Sequence, residues 1–302
     1  MYRQFRILYD KGDDSAFYKH AHAFEEFLKS TNDWKSYYKT KTNEGFYDLR
    51  HHHLQRAIQT AQALDAEVRK NNAVDYYYLT SALTGNIYRA CHDTRRAEEY
   101  FVQALDEVGD RDPKFTMVTL RDLAQLLSIR NPSSAIGYAT QAVALAEERK
   151  DTDNLSQAKA VKIYVEFMNG DKENFEQTYR EYEQLRQQGD PAFNHQYDKL
   201  VEIARLTFDG AYQKAIDKLK EGNVNVDSSQ VAVCIYHLAG DTDNRYKAVK
   251  RRFAETDSLF NIVRNANFDQ LSTELTLMKS REEASENRKT VKRLTNWIMV
   301  IA

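Results

Sequence analysis

The sequence is poor in the residues that interrupt helices. Its 302 residues include 10 glycines and 3 prolines, well below average usage, so it offers few positions for tight turns. Aromatic residues are plentiful, with 19 tyrosines and 14 phenylalanines. They argue against disorder, although 29% of the residues are charged. The composition therefore predicts a folded chain of helices joined by short connections.

Cysteine is scarce as well, and the chain has no excess of positive charge. The two cysteines, Cys91 and Cys234, provide neither a disulfide framework nor the spacing of a metal site, and we expect buried free thiols. The formal net charge is −2 at pH 7, whereas a surface that binds nucleic acid needs a basic excess to neutralise phosphates. We therefore expect no nucleic-acid partner.

A repeat of about forty residues is the main pattern that is present. We call its recurring residues the anchor positions; at steps of 40, 40, 38, 40 and 40 residues they are Phe17, Ala57, Ala97, Ala135, Phe175 and Ala215. With the residues four and seven places further on they make eighteen positions. Seventeen of these are apolar or aromatic, against roughly 7 or 8 expected from a hydrophobic content of 42%. Spacing of this kind lies on one face of a helix, so each anchor predicts an amphipathic helix.

A second helix is predicted before each anchor. Twelve residues earlier lie Phe5, Gly45, Gly85, Leu123, Ile163 and Ile203. The turn between the two helices carries Gly12, Gly170 and Gly210 in three pairs, and His52, His92 and Arg130 in the others. Glycine suits this place because a helix ends readily on a residue that tolerates left-handed dihedral angles. The expected caps of the following helix are Asp93 or Thr94 in the third pair, and Ser133 or Ser134 in the fourth.

The third pair, "TGNIYRACHDTRRAEEYFVQAL" (84–105), carries a family resemblance. Its Gly85, Tyr88, Ala97, Phe101 and Ala104 match the Gly, Tyr, Ala, Phe and Ala positions of the tetratricopeptide repeat (TPR). The chain resembles TPR proteins over about residues 2–225, and more weakly over 227–259. The resemblance implies an all-α fold in which residues 1–260 form a right-handed TPR-type superhelix of about six to seven helical hairpins.

Two features depart from the family pattern. The period is near 40 residues, whereas the usual repeat has about 34, so longer helices are expected. In the second and fifth pairs Asp48 and Glu166 occupy the tyrosine position, and we expect looser helix crossings there.

Residues 261–302 predict a long C-terminal helix that first caps the solenoid and then becomes a linker. A narrow apolar seam ends at Met278, and residues 279–293 carry six basic and three acidic residues. The last six residues, "WIMVIA" (297–302), are apolar. They are interpreted as the start of a truncated transmembrane helix, since a full span needs ~20 residues and Trp297 is typical of a membrane interface. The alternative is a short tail that packs back on the protein or lies disordered.

An array of repeats followed by such a helix is similar to the N-terminal sensor region of membrane-anchored bacterial TPR-containing histidine kinases or transcriptional regulators. The resemblance implies a non-catalytic sensor or scaffold domain of a two-component signalling protein, with the repeats in the periplasm and the C-terminal end at the membrane. A homodimer through the C-terminal helix is a further expectation. The alternatives are a soluble cytoplasmic TPR adaptor or co-chaperone, and a peptide-responsive regulator of the quorum-sensing type.

The sequence shows no catalytic signature, and we expect neither an enzyme nor a cofactor. Three consecutive histidines, "HHH" (51–53), point in different directions around a helix, whereas metal-ligand pairs lie at i and i+4; a solvated turn explains them as well. Paired carboxylates such as "EEF" (25–27) are expected on solvated helix faces. No glycine-rich phosphate loop is present.

The TPR resemblance implies a ligand groove lined by the first helix of each pair. Placing that register on this sequence puts a peptide or protein ligand against Lys39, Phe46, Arg50, Asn86, Arg89, Tyr164, Phe167 and Tyr197, beside the apolar Leu120, Leu127 and Phe208. Aromatic anchors with a few Arg and Asn donors suit an extended peptide or a partner helix.

Asn86 matches a position that often hydrogen-bonds the ligand backbone in the family. Ala82 stands where the lysine of the family's carboxylate clamp would be, so recognition of a chaperone C-terminus is not expected. The alternative is that some of these aromatics pack between neighbouring pairs.

Overall fold

The computed structural model describes residues 2–222, 224 and 226–265, with the side chains of all of these except Asp10 and residues 254–265. This part of the chain forms fourteen α-helices and no β-strand, so the all-α prediction is confirmed. The helices are α1 (Tyr2–Lys11), α2 (Asp14–Ser30), α3 (Trp34–Arg50), α4 (Leu54–Lys70), α5 (Tyr77–Ala90), α6 (Thr94–Val108), α7 (Pro113–Leu127), α8 (Pro132–Glu148), α9 (Thr152–Met168), α10 (Lys172–Gln187), α11 (Asp198–Phe208), α12 (Tyr212–Lys220), α13 (Ser228–Leu238) and α14 (Thr242–Asn265). Short 3₁₀ turns at Val74–Tyr76 and His195–Tyr197 precede α5 and α11.

Helix length explains the forty-residue period. Helices α2, α3 and α4 have 17 residues each, and turns of three residues separate them. Two such helices with two such turns make one repeat. The second helices of the first six pairs begin at Asp14, Leu54, Thr94, Pro132, Lys172 and Tyr212. Every anchor position is therefore the fourth residue of its helix.

The turn inside a pair places one residue in the left-handed backbone region. Gly12, Gly170 and Gly210 have φ values of 72°, 68° and 78°, as the turn pattern predicts. His52 and His92 take the same place with φ values of 62° and 59°, although this conformation costs a residue with a Cβ about 1–2 kcal/mol. The turn geometry is thus kept in the second and third pairs, whereas Arg130 of the fourth pair is not in the left-handed region.

Side-chain caps fix where α6 and α8 begin. Asp93 accepts a hydrogen bond from the backbone N–H of Arg96 at 3.1 Å, which confirms one of the two candidates for α6. In α8 the cap is Asn131, which accepts from the backbone N–H of Ser134 at 3.2 Å, so the prediction of Ser133 or Ser134 is wrong. Pro132 follows the cap because the first residue of a helix needs no N–H donor.

The anchors lie in the packed seam between helices, and all six are 0% exposed. Gly85 of α5 faces Phe101 of α6, where an added Cβ would lie 2.8 Å from the ring atom Cδ1. Gly45 of α3 faces Leu83 of α5, where an added Cβ would lie 2.5 Å from Cδ2. Small residues stand at these crossings because the neighbouring helix leaves no room for a side chain.

At three places the first helices of successive pairs lie side by side. Helix α3 packs against α5, α7 against α9, and α9 against α11. Helices α4, α6 and α8 pack back on α5, α7 and α9. We call α3, α5, α7, α9 and α11 the first-helix row, because this is the surface on which the sequence places a ligand.

The chain divides into two units, Met1–Asp257 and Ser258–Ala302. Helices α1 to α13 lie in the first unit. The predicted apolar seam, basic run and apolar end of the C-terminal segment fall in residues 266–302, outside the described residues. Within the described part, no helix is both long enough and apolar enough to cross a membrane.

Candidate ligand-binding surface on the first-helix row

A polar group joins α5 to α7 in the middle of the row. Arg89 donates from Nη2 to Asn86 Oδ1 and from Nη1 to Asp122 Oδ1 of α7, both at 2.5 Å. Asn86 is buried, and its Nδ2 donates to the carbonyl of Ala82 at 2.9 Å. The Arg89 side chain remains 36% exposed. Two partners therefore orient a guanidinium that still presents donors at the surface, as recognition of a carboxylate or carbonyl requires.

Arg121 extends the polar group from α7 to α9. It is buried, and it donates to Asn154 Oδ1 at 2.8 Å and to Gln157 Oε1 at 3.0 Å. Burial lowers the pKa of this guanidinium. The Nε2 of Gln157 in turn donates to Asp153 at 3.0 Å, and Gln196 donates to Gln157 Oε1 at 2.5 Å. The Arg121 guanidinium is thus held by neutral amides, which link it to the carboxylate of Asp153. Such a hydrogen-bond network fixes α7 and α9 relative to each other.

Lys39 marks the other end of this surface. Its Nζ lies 2.5 Å from Asp112 Oδ2, and the Lys39 side chain is 38% exposed. Asp112 also caps α7 by accepting from the backbone N–H of Phe115 at 3.2 Å, and the Tyr78 hydroxyl donates to it at 3.3 Å. Burial acts to raise the pKa of Asp112, but the bonds from Lys39 and Phe115 hold it below its ordinary value. The lysine expected to meet a ligand is therefore already ion-paired.

Two further predicted ligand residues lie on α3. Phe46 is half-buried and Arg50 is exposed. The guanidinium carbon of Arg50 lies 5.6 Å from the centre of the Tyr9 ring, within the range of a cation–π contact. With Lys39 and Arg89, these residues are in part accessible on the row, and their role in binding stays a prediction.

Three predicted groove aromatics lie in the core instead. Tyr164 is 1% exposed, Phe167 0% and Tyr197 7%, and all three belong to one hydrophobic cluster. The Tyr197 hydroxyl accepts from Gln125 Nε2 at 3.2 Å. The prediction that these three rings face an open groove is wrong. Side chains with so little exposed surface cannot contact a ligand in this conformation.

Helix α13 covers two of these aromatics. Its Gln230 amide lies 3.3 Å from the Tyr164 hydroxyl, and the Cys234 thiol lies 3.5 Å from the carbonyl oxygen of Phe167. Besides packing on α12, α13 thus reaches back to the fifth pair. Residues 227–259 were expected to be one more weakly matching pair, but a simply stacked pair contacts only its neighbours.

The three histidines of the second turn are not equivalent. His52 is exposed, whereas His51 and His53 are half-buried. His53 lies with Nδ1 3.5 Å from Asp48 and with Nε2 3.7 Å from Asp14. The solvated-turn interpretation fits His52 alone, since His53 links the first two pairs. No group of three or more His, Cys, Asp or Glu side chains that could hold a metal ion occurs among the described residues.

Buried carboxylates are the feature that sequence reasoning missed. Glu25, expected on a solvated face, is 4% exposed. Burial, together with the neighbouring Glu25, raises the pKa of Glu44 to about 9. The two carboxyl groups lie on α2 and α3, which pack against each other. The residue pattern of a single helix does not show which residues of another helix lie next to it, so this contact was not predicted.

Asp48 and Glu166, at the family's tyrosine position, are each 1% exposed. The Tyr18 hydroxyl donates to Asp48, and the Thr178 hydroxyl donates to Glu166 at 2.8 Å. Burial raises the pKa of both carboxyl groups, to about 7 for Glu166. Hydrogen bonds from Tyr18 of α2 and Thr178 of α10 thus stand in for the missing tyrosine at these buried positions. The expectation of looser helix crossings stays a prediction.

The two cysteines are buried free thiols, as predicted. Burial raises the pKa of each to about 12, so both are protonated at neutral pH. A thiolate is the form that acts as a nucleophile or metal ligand, and neither thiol is in that form.

The chain matches no family model, and no relative was found among curated proteins.

Proposed function

We propose that this chain is a non-catalytic scaffold of the TPR type, whose first-helix row binds a peptide or a segment of another protein. Helix pairs of forty residues and small residues at the helix crossings support the TPR assignment. Three of the four neighbouring helix pairs of the first-helix row pack together, and α4, α6 and α8 pack back on the first helix of the following pair. Stacking pairs in this way would curve the array with the first helices inside, as in a right-handed TPR superhelix.

The observation that carries the proposal is the oriented Arg89. It is held between Asn86 and Asp122 and yet is 36% exposed. Arg50 is exposed on the same row two helices away along the chain. Cationic donors on a rigid row of helices fit the carbonyls and carboxylates of a bound peptide.

The scaffold is proposed to be the sensor region of a membrane-anchored bacterial signalling protein of the two-component type, with its repeats in the periplasm. The basic run at 279–293 and the apolar residues 297–302 support the membrane attachment. A native product well above 35.2 kDa that pellets with membranes is expected. A soluble product near that mass would favour the free-standing adaptor instead.

Selection from a displayed library of random peptides tests the binding surface. The full chain is expected to enrich a peptide class, and Arg89→Ala and Arg50→Ala should each weaken binding of those peptides by about tenfold, the equivalent of one lost charged hydrogen bond. Binding is measured by fluorescence anisotropy, with thermal unfolding as a check on folding.

The matched control is Arg95→Ala on α6. This arginine is 65% exposed and pairs within its own helix, with Glu99 at 2.7 Å, so its loss should leave peptide binding unchanged. Equal losses in all three variants, or no enriched peptide class, would contradict the proposal.

A further inference from the structure

Helix α13 lies across the ends of the first helices. At its start, Asp227 Oδ2 is 4.0 Å from His92 Nδ1 in the turn after α5. At its end, Leu238 Cδ2 would lie 3.7 Å from a Cβ placed on Gly170, in the turn after α9. Its eleven residues span about 16 Å. The helix therefore bridges the third pair to the fifth and covers the surface between them.

The covered surface is apolar and fits a helix without charge. Val231 and Ile235 of α13 are 0% exposed and Cys234 is 7% exposed; these residues lie on one helix face at i, i+3 and i+4. They join the same hydrophobic cluster as Tyr164 and Phe167. The sequence of α13, "SSQVAVCIYHL" (228–238), contains no Asp, Glu, Lys or Arg. Peptide-binding grooves of helical proteins take amphipathic helices with this spacing of anchors.

The polar ties that hold α13 are long. Asp227 Oδ2 lies 3.5 Å from Arg252 Nε and 4.0 Å from His92, and it has no hydrogen-bond partner among the described residues. Gly222 and Gly240, on either side of the helix, have φ values of 73° and 70°. Docking of α13 therefore depends mainly on the apolar face and less on the charged residues at its start.

We infer that α13 is an internal occupant of a helix-binding surface formed by Tyr164, Phe167 and the turns that begin at Cys91 and Asn169. The external partner is an amphipathic helix of the same chemistry, with β-branched apolar residues four positions apart and no charge on that face, and it displaces α13. This inference rests on the proposed binding function. It adds the class of partner, and it states that α13 and the partner helix compete for the same surface.

A labelled peptide offered in trans tests this. The probe is fluorescein-labelled peptide 227–240 with Cys234→Ser, and the protein is the full chain carrying Val231→Asp and Ile235→Asp, which should release its own α13. The released variant is expected to bind the probe at least about tenfold more tightly than the unaltered chain, because an occupied site lowers the apparent affinity by its free fraction. The same probe with Ile235→Asp should not bind.

Asp227→Asn provides a second variant that leaves the core untouched. Asparagine keeps the cap at the start of α13, where Asp227 accepts from the backbone N–H of Ser229 and Gln230 at 2.9 and 3.2 Å, but it removes the charge that faces His92 and Arg252. Faster amide exchange in α13 and intermediate probe affinity are expected. A folded released variant that binds the probe no better than the unaltered chain would overturn the inference. Because Arg89 and Arg50 lie on α5 and α3 and are unaltered in the released variant, their peptide-library result would still stand or fall separately.

Discussion

At the scale of single residues, the polar side chains that replace an expected aromatic are the informative ones. The family pattern has tyrosine where Glu166 stands, and a buried carboxyl group is costly unless it is protonated or well bonded. Thr178 bonds one oxygen of Glu166, Lys162 lies 3.6 Å from that same oxygen, and the other oxygen has no partner within the described residues. Half of this carboxyl group is therefore unsatisfied.

The titration of Glu166 predicts a pH effect on stability. Burial raises its pKa from 4.5 to about 7 in the folded protein, so between these values the folded state binds more protons than the unfolded state. The free energy of unfolding contributed by this group is then highest below pH 4.5 and falls as the pH rises toward 7. Glu166→Gln removes the titration, and we expect the variant to gain stability relative to the unaltered chain between pH 5 and 8.

Urea unfolding at several pH values measures this. Glu176→Gln is the control, because its carboxyl group is half-exposed and is bonded by Arg205 at 2.8 and 2.9 Å. A Glu166→Gln variant whose stability runs parallel to that of the unaltered chain over this pH range would show that Glu166 stays ionised.

At the scale of helices, close approach decides which residues are accepted. Gly85 lets α5 lie against Phe101 of α6, and the same need for space recurs where Gly45 meets Leu83. Gly137 in α8 is different, since a Cβ added there meets nothing within 4 Å. Substitution by alanine is therefore expected to lower the free energy of unfolding at Gly85 and to raise it at Gly137.

Gly85→Ala is expected to lower the free energy of unfolding by about 1–3 kcal/mol, the usual cost of overpacking. Gly137→Ala should raise it by about 0.5–1 kcal/mol, because alanine favours the helix over glycine. Chemical denaturation of both variants measures the difference. Phe101→Leu in the Gly85→Ala background should restore part of the loss, and a Gly85→Ala variant as stable as the unaltered chain would contradict the crossing geometry.

At the scale of the whole molecule, the core is divided. One cluster of buried side chains lies in the first pairs, around Phe17 and Tyr47, whose rings stack at 3.7 Å. A second lies in the later pairs, around Phe175. In a repeat array each pair contacts chiefly its neighbours, so stability is local.

Phe17→Ala and Phe175→Ala form a matched pair, because both phenylalanines are anchors with 0% exposure. Each change should cost about 3–5 kcal/mol. Native-state hydrogen exchange is expected to show the loss of protection in α1–α4 for Phe17→Ala and in α9–α12 for Phe175→Ala. Uniform loss along the chain in either variant would mean that the array unfolds as one unit.

The repeat was readable from the sequence because its cause is local. Anchor spacing, the turn glycines and the cap at Asp93 depend on residues within one or two helical turns. The cap of α8 was misplaced by two or three residues because Asn and Ser have similar capping preference, and only the position of Pro132 favours Asn131. Arg89 lies at an accessible place on the first-helix row, and the register of the repeat predicts this because it fixes the direction of each side chain. Asn86 beside it is buried, and a role of either residue in binding stays a prediction.

The ligand surface was predicted only in part because burial there depends on a helix from elsewhere in the chain. Tyr164 and Phe167 occupy the expected register, yet α13 covers them from more than sixty residues away. The pattern of apolar residues in α9 gives no sign of this contact with α13. The Glu25–Glu44 contact between α2 and α3 is of the same kind.

The sequence by itself thus determined the alternation of helices and short turns and the buried face of each second helix, because these follow from backbone preferences and from spacing along one helix. The tertiary structure alone decided which buried faces meet, where carboxyl groups lose their water, and that α13 covers part of the first-helix row. The physical reason is that packing and desolvation depend on atoms brought together from distant parts of the chain, and a one-dimensional pattern does not contain their distances.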